Sequence, residues 1–142
     1  MGFPDRIERT VEIARPPERV WAALTTAEGL AAWFPESAEI DLRVGGAGAL
    51  NWEGHETDFR VERIEEPRVF GFTWRIYGLP DSDPRRTYVE FTLTPTGSGT
   101  SLTVVETGFA QLGPAEYDSS FSGNVKGWAA ELDELVAYCN GS

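Results

Sequence analysis

The sequence predicts an α+β fold, in which a curved antiparallel sheet of six to seven strands wraps around a long C-terminal α-helix. About seven segments alternate apolar and polar residues with a period of two. Short turns join most of them, which favours antiparallel pairing. The last segment instead carries apolar residues at helical spacing. Because one helix covers only part of such a sheet, the rest of the concave face is either filled with side chains or left as a cavity.

The first strand and two short helices are predicted before residue 36. Residues 6–14 alternate, with one charged face. Two prolines then end the strand and favour the first turn of a helix over residues 18–24. Thr25, with Glu28 three residues later, forms a capping-box pattern. This pattern predicts a second helix that begins after Thr25 and stops at Pro35.

Residues 38–107 are predicted to form about six strands. Alternation begins at Ile40, Leu42 and Val44, and residues 70–76 place four large apolar side chains at period two. The apolar phase slips by one residue between Val61 and Ile64. Such a slip is typical of a β-bulge, which bends and twists a strand.

The C-terminal segment is predicted to be a helix of about 17–20 residues. Ser120 or Ser122 is the expected cap, and Gly141 is the expected stop signal. Apolar residues recur at spacings of three and four: Val125, Trp128, Leu132, Leu135 and Cys139. This helix is long enough to cross a small sheet from edge to edge.

Composition excludes several classes of partner. The 142 residues are expected to form one domain, residues 1–142, and their net charge of −11 argues against nucleic acid. No segment resembles a membrane span or a signal peptide, and there is one cysteine, so a cytoplasmic location is expected. No metal-ligand spacing and no nucleotide-binding loop occur, so we expect neither metal nor cofactor. A homodimer is an open alternative to a monomer.

The expected cavity would be lined by aromatic side chains. Nine residues predicted to face inward or to close one end are the candidate ligand-binding set: Trp33, Trp52, Phe59, Phe72, Trp74, Phe91, Glu106, Phe121 and Trp128. For each ring the alternative is a tightly filled core. Asn51 and three tyrosines, Tyr77, Tyr88 and Tyr117, are candidate polar anchors.

Two residues are candidates for acid–base catalysis. Glu106 shares the inward strand parity of Leu102 and Val104, so its carboxylate is expected at the cavity wall or, alternatively, in water at the end of the strand. His55 is the only histidine and sits near a strand start, where a solvated turn histidine is the alternative.

Four segments together resemble the START-type helix-grip (SRPBCC) superfamily, and within it the bacterial proteins similar to the C-terminal domain of the activator of Hsp90 ATPase. They are Arg15–Thr25, Leu30–Pro35, Val61–Trp74 and Leu102–Phe109, followed by a helix containing Gly127 and Trp128. The resemblance covers essentially the whole chain and implies the helix-grip fold. It implies one of three functions: binding of lipids or other hydrophobic ligands, catalysis of cyclase or hydrolase type, or partnership with a chaperone. The chain matches only the activator's C-terminal domain, so binding is expected first, catalysis second and a chaperone partner last.

Overall fold

Seven strands form one antiparallel sheet that wraps a long helix in a computed structural model of the chain, which describes residues 6–52, 55–76, 79–80 and 82–141. This confirms the predicted α+β fold. The elements, in chain order, are β1 (Arg6–Ile13), α1 (Pro17–Thr25), α2 (Ala27–Trp33), β2 (Ser37–Ile40), β3 (Ala47–Trp52), β4 (His55–Glu65), β5 (Val69–Arg75), β6 (Arg86–Pro95), β7 (Thr100–Thr107) and α3 (Pro114–Gly141). A single 3₁₀ turn, Phe109–Gln111, lies between β7 and α3.

The sheet order is β1-β7-β6-β5-β4-β3-β2. After β1, helices α1 and α2 carry the chain to the opposite edge of the sheet, and the strands then return one by one until β7 pairs with β1. Every pair is antiparallel, as the short turns predicted. The register of β4 against β5 shifts between Val61 and Arg63, where the sequence predicted a bulge.

Alternating burial confirms which side of the central strands faces the helix. In β6 and β7 every second residue is buried, including Phe91 in β6 and Leu102 in β7. On α3 the residues facing the sheet are fully buried: Trp128, Leu132, Leu135 and Cys139. Each fully buried leucine contributes roughly 1.5–3 kcal/mol to the stability of this two-layer core.

Three local predictions require correction. The cap of α2 is Thr26 and not Thr25: Thr26 Oγ1 accepts from Gly29 N at 2.9 Å, whereas the Thr25 hydroxyl donates to a carbonyl inside α1. Strand β2 ends at Ile40, and the alternation beyond it, at Leu42 and Val44, falls on exposed residues outside the sheet. Periodicity without a pairing partner is therefore insufficient to make a strand.

Helix α3 begins earlier than predicted, at Pro114, and has 28 residues. Its first turns are serine-rich and have low helical propensity, so the sequence pattern hides them. Tertiary contacts hold this segment in place, since Phe121 stacks on Tyr117 at 5.0 Å between ring centroids and meets Phe109 edge-on at 5.2 Å. No helix in the described part of the chain combines the length and apolar character needed to cross a bilayer.

Candidate functional site

A cavity of about 750 Å³ lies between the sheet and the middle of α3. It occupies the end of the sheet where β3 and β5 finish and β4 begins. The sheet side is lined by Trp52, Thr57, Trp74, Arg75 and Ile76. The helix side is lined by Gly123, Asn124, Lys126, Gly127, Trp128 and Glu131, and Phe34 and Leu79 complete the wall.

Aromatic rings form a continuous wall on one side of this cavity. Trp128 is the centre, since it stacks on Trp74 with centroids 5.7 Å apart and on Phe34 at 5.8 Å. Trp52 meets Phe34 edge-on at 5.3 Å. These distances between ring centroids lie in the range in which aromatic rings attract each other. A guest molecule in the cavity would therefore contact mainly the faces and edges of ordered rings.

Glu106 lies behind this wall with its side chain fully buried. Its Oε1 accepts hydrogen bonds from Trp128 Nε1 and Asn124 Nδ2, both at 2.9 Å. Its Oε2 accepts from Trp74 Nε1 at 2.9 Å and from Thr87 Oγ1 at 2.5 Å. An ionised carboxylate offers about four acceptor positions, and here four donors occupy them. The expectation that Glu106 reaches water at the strand end is therefore wrong.

This network orients the wall of the cavity. Because the N–H groups of Trp74 and Trp128 point at Glu106, both indoles are held in fixed orientations, and their N–H groups are turned away from the cavity. Glu106 contacts the cavity only through the residues that it holds. With both oxygens occupied, its carboxylate is suited to positioning side chains.

The eight aromatic candidates are distributed over three places. Trp52, Trp74 and Trp128 lie on the cavity wall. Four others surround a residual void of only about 10 Å³ in the deep core: Trp33, Phe59, Phe72 and Phe91. A space of that size is at or below the volume that one water requires. Phe121 packs on Tyr117 and Phe109 near the start of α3.

The remaining candidates lie away from the described cavity wall or outside what the structure describes. Tyr88 donates to Glu90 at 2.8 Å, and burial, together with this bond, raises the pKa of the Tyr88 hydroxyl well above its ordinary value. Tyr117 belongs to the aromatic cluster at the start of α3. Asn51 is half-buried in β3, opposite Ser37. The backbone of His55 begins β4, whereas its side chain and Tyr77 fall outside the described part.

Of the residues that line the cavity, sequence reasoning named only Trp52, Trp74 and Trp128 as candidates and missed the others, including Phe34 and Asn124. Phe34 follows the last residue of α2 and is placed by the end of that helix, which periodicity does not reveal. Asn124 was overlooked because it is polar, although it precedes Trp128 by four residues and Glu131 by seven. That spacing puts all three on one face of α3 and could have identified it.

Charged side chains occur at the edge of the same cavity. Burial, and secondarily the negative charge of Glu134, raises the pKa of Glu131. Arg75 pairs with Asp58 at 2.7 Å, and Asp58 also pairs with Arg86 at 3.1 Å.

Among the residues that the structure describes, no cluster of three or more His, Cys, Asp or Glu side chains could hold a metal ion.

The sheet gripping a long helix, with a cavity between them, defines a helix-grip protein of the SRPBCC type. The chain belongs to the family of activator of Hsp90 ATPase homolog 1-like proteins, whose profile matches residues 14–140. The resemblance inferred from the sequence is therefore confirmed.

Solved structures show the same fold along most of the chain. Protein MLL2253 from Mesorhizobium loti is 27% identical, with a TM-score of 0.79 over 92% of this chain and 93% of its own. DynU16, a putative protein in the dynemicin biosynthetic locus, is 24% identical, with a TM-score of 0.79 over 95% of this chain and 47% of its own. The Aha1 dimer from Colwellia psychrerythraea is 20% identical, with a TM-score of 0.76 over 95% and 96%. No curated protein matches the chain.

Proposed function

We propose that this protein binds a small hydrophobic molecule in the cavity between the sheet and α3. The molecule is a lipid, a polyketide-like compound or an aromatic compound. The observation that carries the proposal is an unfilled volume of about 750 Å³ beside an ordered aromatic wall. This volume falls in the range of about 300–1,000 Å³ typical of small-molecule sites. A guest that loses about 300 Å² of apolar surface gains roughly 7 kcal/mol before the cost of association.

The rest of the proposal concerns setting and assembly. The single cysteine of the sequence, Cys139, is buried and fits a reducing cytoplasmic setting. A homodimer is retained as an alternative to a monomer, because the Aha1 protein of Colwellia was solved as a dimer. A chaperone partner ranks last among the functions that we consider.

A second candidate function is catalysis of cyclase or hydrolase type in the same cavity. One observation favours it, namely that Glu131 lines the cavity and has a raised pKa, which suits a general acid. Once a ligand is identified, its turnover by wild-type protein and by Glu131→Gln decides between the two functions. Consumption of the ligand that stops in Glu131→Gln supports catalysis, whereas an unchanged ligand supports binding.

Native mass spectrometry of protein purified from its own host tests the binding proposal most directly. We expect a population heavier than the bare chain by the mass of one small molecule, which is released and identified after denaturing extraction. The same spectrum reports whether the protein is a monomer or a dimer. A bare chain alone, combined with no binding of apolar probes in calorimetric titration, contradicts the proposal.

A matched pair of variants at Gly127 links binding to the cavity. Gly127 lines the cavity, and a Cβ built there meets no atom within 4 Å. A phenylalanine can therefore extend into the open volume, and we expect Gly127→Phe to lower affinity for an apolar probe at least tenfold. Gly127→Ala adds one methyl group and is expected to bind within about threefold of wild type. Equal affinity of all three proteins, measured by calorimetry, places the ligand elsewhere.

A further inference from the structure

Asn124 carries, at the cavity wall, a hydrogen-bond acceptor with which no described residue pairs. Its Nδ2 donates to Glu106 Oε1 at 2.9 Å, and because a carboxylate only accepts, this bond fixes which end of the amide faces Glu106. Among the described residues no donor reaches Asn124 Oδ1, which is also not sealed in the interior. Since Asn124 lines the cavity, the free carbonyl oxygen is available to a guest.

The opposite wall carries a second polar group without a partner in the described part of the chain. Thr57 lies in β4, lines the cavity and is only 9% exposed. No hydrogen bond to its hydroxyl is made by any described residue, although the other buried threonines Thr25, Thr87 and Thr100 each have one. This hydroxyl is not sealed in the interior, so a polar group of a guest in the cavity can pair with it.

We propose that Asn124 determines specificity: its Oδ1, oriented by Glu106, accepts a hydrogen bond from a hydroxyl or N–H group of the guest. The ligand class is thus a compact apolar molecule, of a size to fill the cavity between the tryptophans, that carries a hydrogen-bond donor. Thr57 assists from the sheet side by pairing with the same or a neighbouring polar group. This inference rests on the proposed binding function and names the chemistry that it selects.

The preference for a guest with a hydrogen-bond donor follows from the free-energy cost of leaving Asn124 Oδ1 without a partner. A guest without a donor removes water from Asn124 Oδ1 and offers nothing in exchange, whereas a guest with a donor replaces that water. The indoles of Trp74 and Trp128 cannot compensate, because their N–H groups are already bonded to Glu106. Apolar area alone favours the guest with more methyl groups, so a preference for the hydroxylated guest requires a specific partner.

Calorimetric titration with 2-naphthol and 2-methoxynaphthalene tests the proposal. The two probes share one ring system and differ in whether the oxygen can donate. We expect wild-type protein to bind 2-naphthol at least about fivefold more tightly, corresponding to roughly one net hydrogen bond. In Asn124→Leu, which has similar volume and no amide, the preference is expected to vanish or reverse. Loss of the preference at unchanged fold, checked by circular dichroism, supports the inference.

The outcomes separate the two proposals. Equal binding of both probes by wild-type protein, or a preference that survives in Asn124→Leu, overturns the inference but leaves hydrophobic binding standing. Failure of both probes to bind contradicts the proposed function for guests of this size and with it the inference. If Asn124→Leu does not fold, the side-chain amide resonance of Asn124 in wild-type protein decides. A shift with 2-naphthol but not with 2-methoxynaphthalene supports the contact, and equal shifts refute it.

Discussion

At the residue scale, Glu106 connects the sheet to the helix through four side-chain hydrogen bonds. It sits on β7 and binds Trp74 on β5, Thr87 on β6, and Asn124 and Trp128 on α3. A buried charge without partners would be strongly unfavourable, whereas four donors make this one compatible with the core. The same bonds orient three of the residues that line the cavity.

Replacement of Glu106 by glutamine is expected to destabilise the protein by about 2–3 kcal/mol. The glutamine NH₂ group would face donors instead of offering an acceptor to them. Urea unfolding, followed by circular dichroism, measures the change. The control is Glu8→Gln, because Glu8 is half-exposed and pairs with Arg6 on the surface. We expect that control to stay within about 0.5 kcal/mol of wild type, and equal destabilisation by the two variants would contradict the role of Glu106.

Strand parity in the sequence was enough to direct Glu106 inward, but not to reveal its partners. Its four donors come from β5, β6 and α3, and their distances to the carboxylate depend on how the sheet curves. The same limit explains why the sequence did not show which aromatic candidates line the cavity. Alternation identified Phe59, Phe72 and Phe91 as inward-facing, which the burial confirms, but it could not separate the packed core from the cavity wall.

At the element scale, two helical glycines differ in the space that surrounds them: Gly29 has no room for a side chain, whereas Gly127 has. A Cβ on Gly29 in α2 would lie 2.3 Å from Ala22 O and 2.7 Å from Ala23 Cα, both backbone atoms of α1. Gly29 therefore permits the close contact of α1 and α2. Gly127 in α3 has open space at the same point, so its lack of a side chain enlarges the cavity and weakens the helix.

The same substitution is thus expected to have opposite signs at the two sites. Gly29→Ala should destabilise the protein by about 2 kcal/mol or more, because backbone must move. Gly127→Ala should stabilise it by about 0.5–1 kcal/mol, since alanine favours the helix and meets no obstacle. Urea denaturation midpoints of both variants provide the measurement, and each variant serves as the control for the other. Changes of the same sign would show that helix propensity and local packing are not the deciding terms.

Element boundaries were predicted less well than element types, and α3 shows why. Its C-terminal half follows a strict apolar spacing, from Trp128 to Cys139, and was recognised. Its first two turns are polar and serine-rich. They are helical because Tyr117 and Phe121 pack on Phe109, a contact that depends on the 3₁₀ turn after β7.

At the scale of the whole molecule, α3 is tied to the sheet at both ends. At its start Arg85 donates to Glu116 at 3.1 and 2.9 Å while also binding Asp83. At its end the Asn140 side chain accepts from Ala14 N at 2.9 Å, and the Asn140 carbonyl accepts from Arg15 at 2.7 Å. These two attachments are 24 residues apart along α3. They hold the helix side of the cavity in position against the sheet side.

The attachment at the start of α3 should depend on pH. Hydrogen bonds from Arg85 lower the pKa of Asp83 to about 2 and also lower the pKa of Glu116, with a smaller effect from the Gly113 N–H. Since both folded pKa values lie below the ordinary ones, the stabilisation is present above pH 5 and is lost as the pH falls from about 4.5 toward 2. The difference in urea midpoint between wild type and Arg85→Gln should be constant at neutral pH and shrink over that window. Parallel curves at all pH values would remove Arg85 from this role.

The two indoles bonded to Glu106 also give the molecule a built-in optical reporter. Trp74 and Trp128 touch each other and the cavity, and their rings are fixed before any guest arrives. If their fluorescence changes when a compound is titrated in, the change would therefore report that the compound occupies the cavity beside them, and not that the rings have moved. Fluorescence quenching can accordingly be used to screen unlabelled compounds against the native chain.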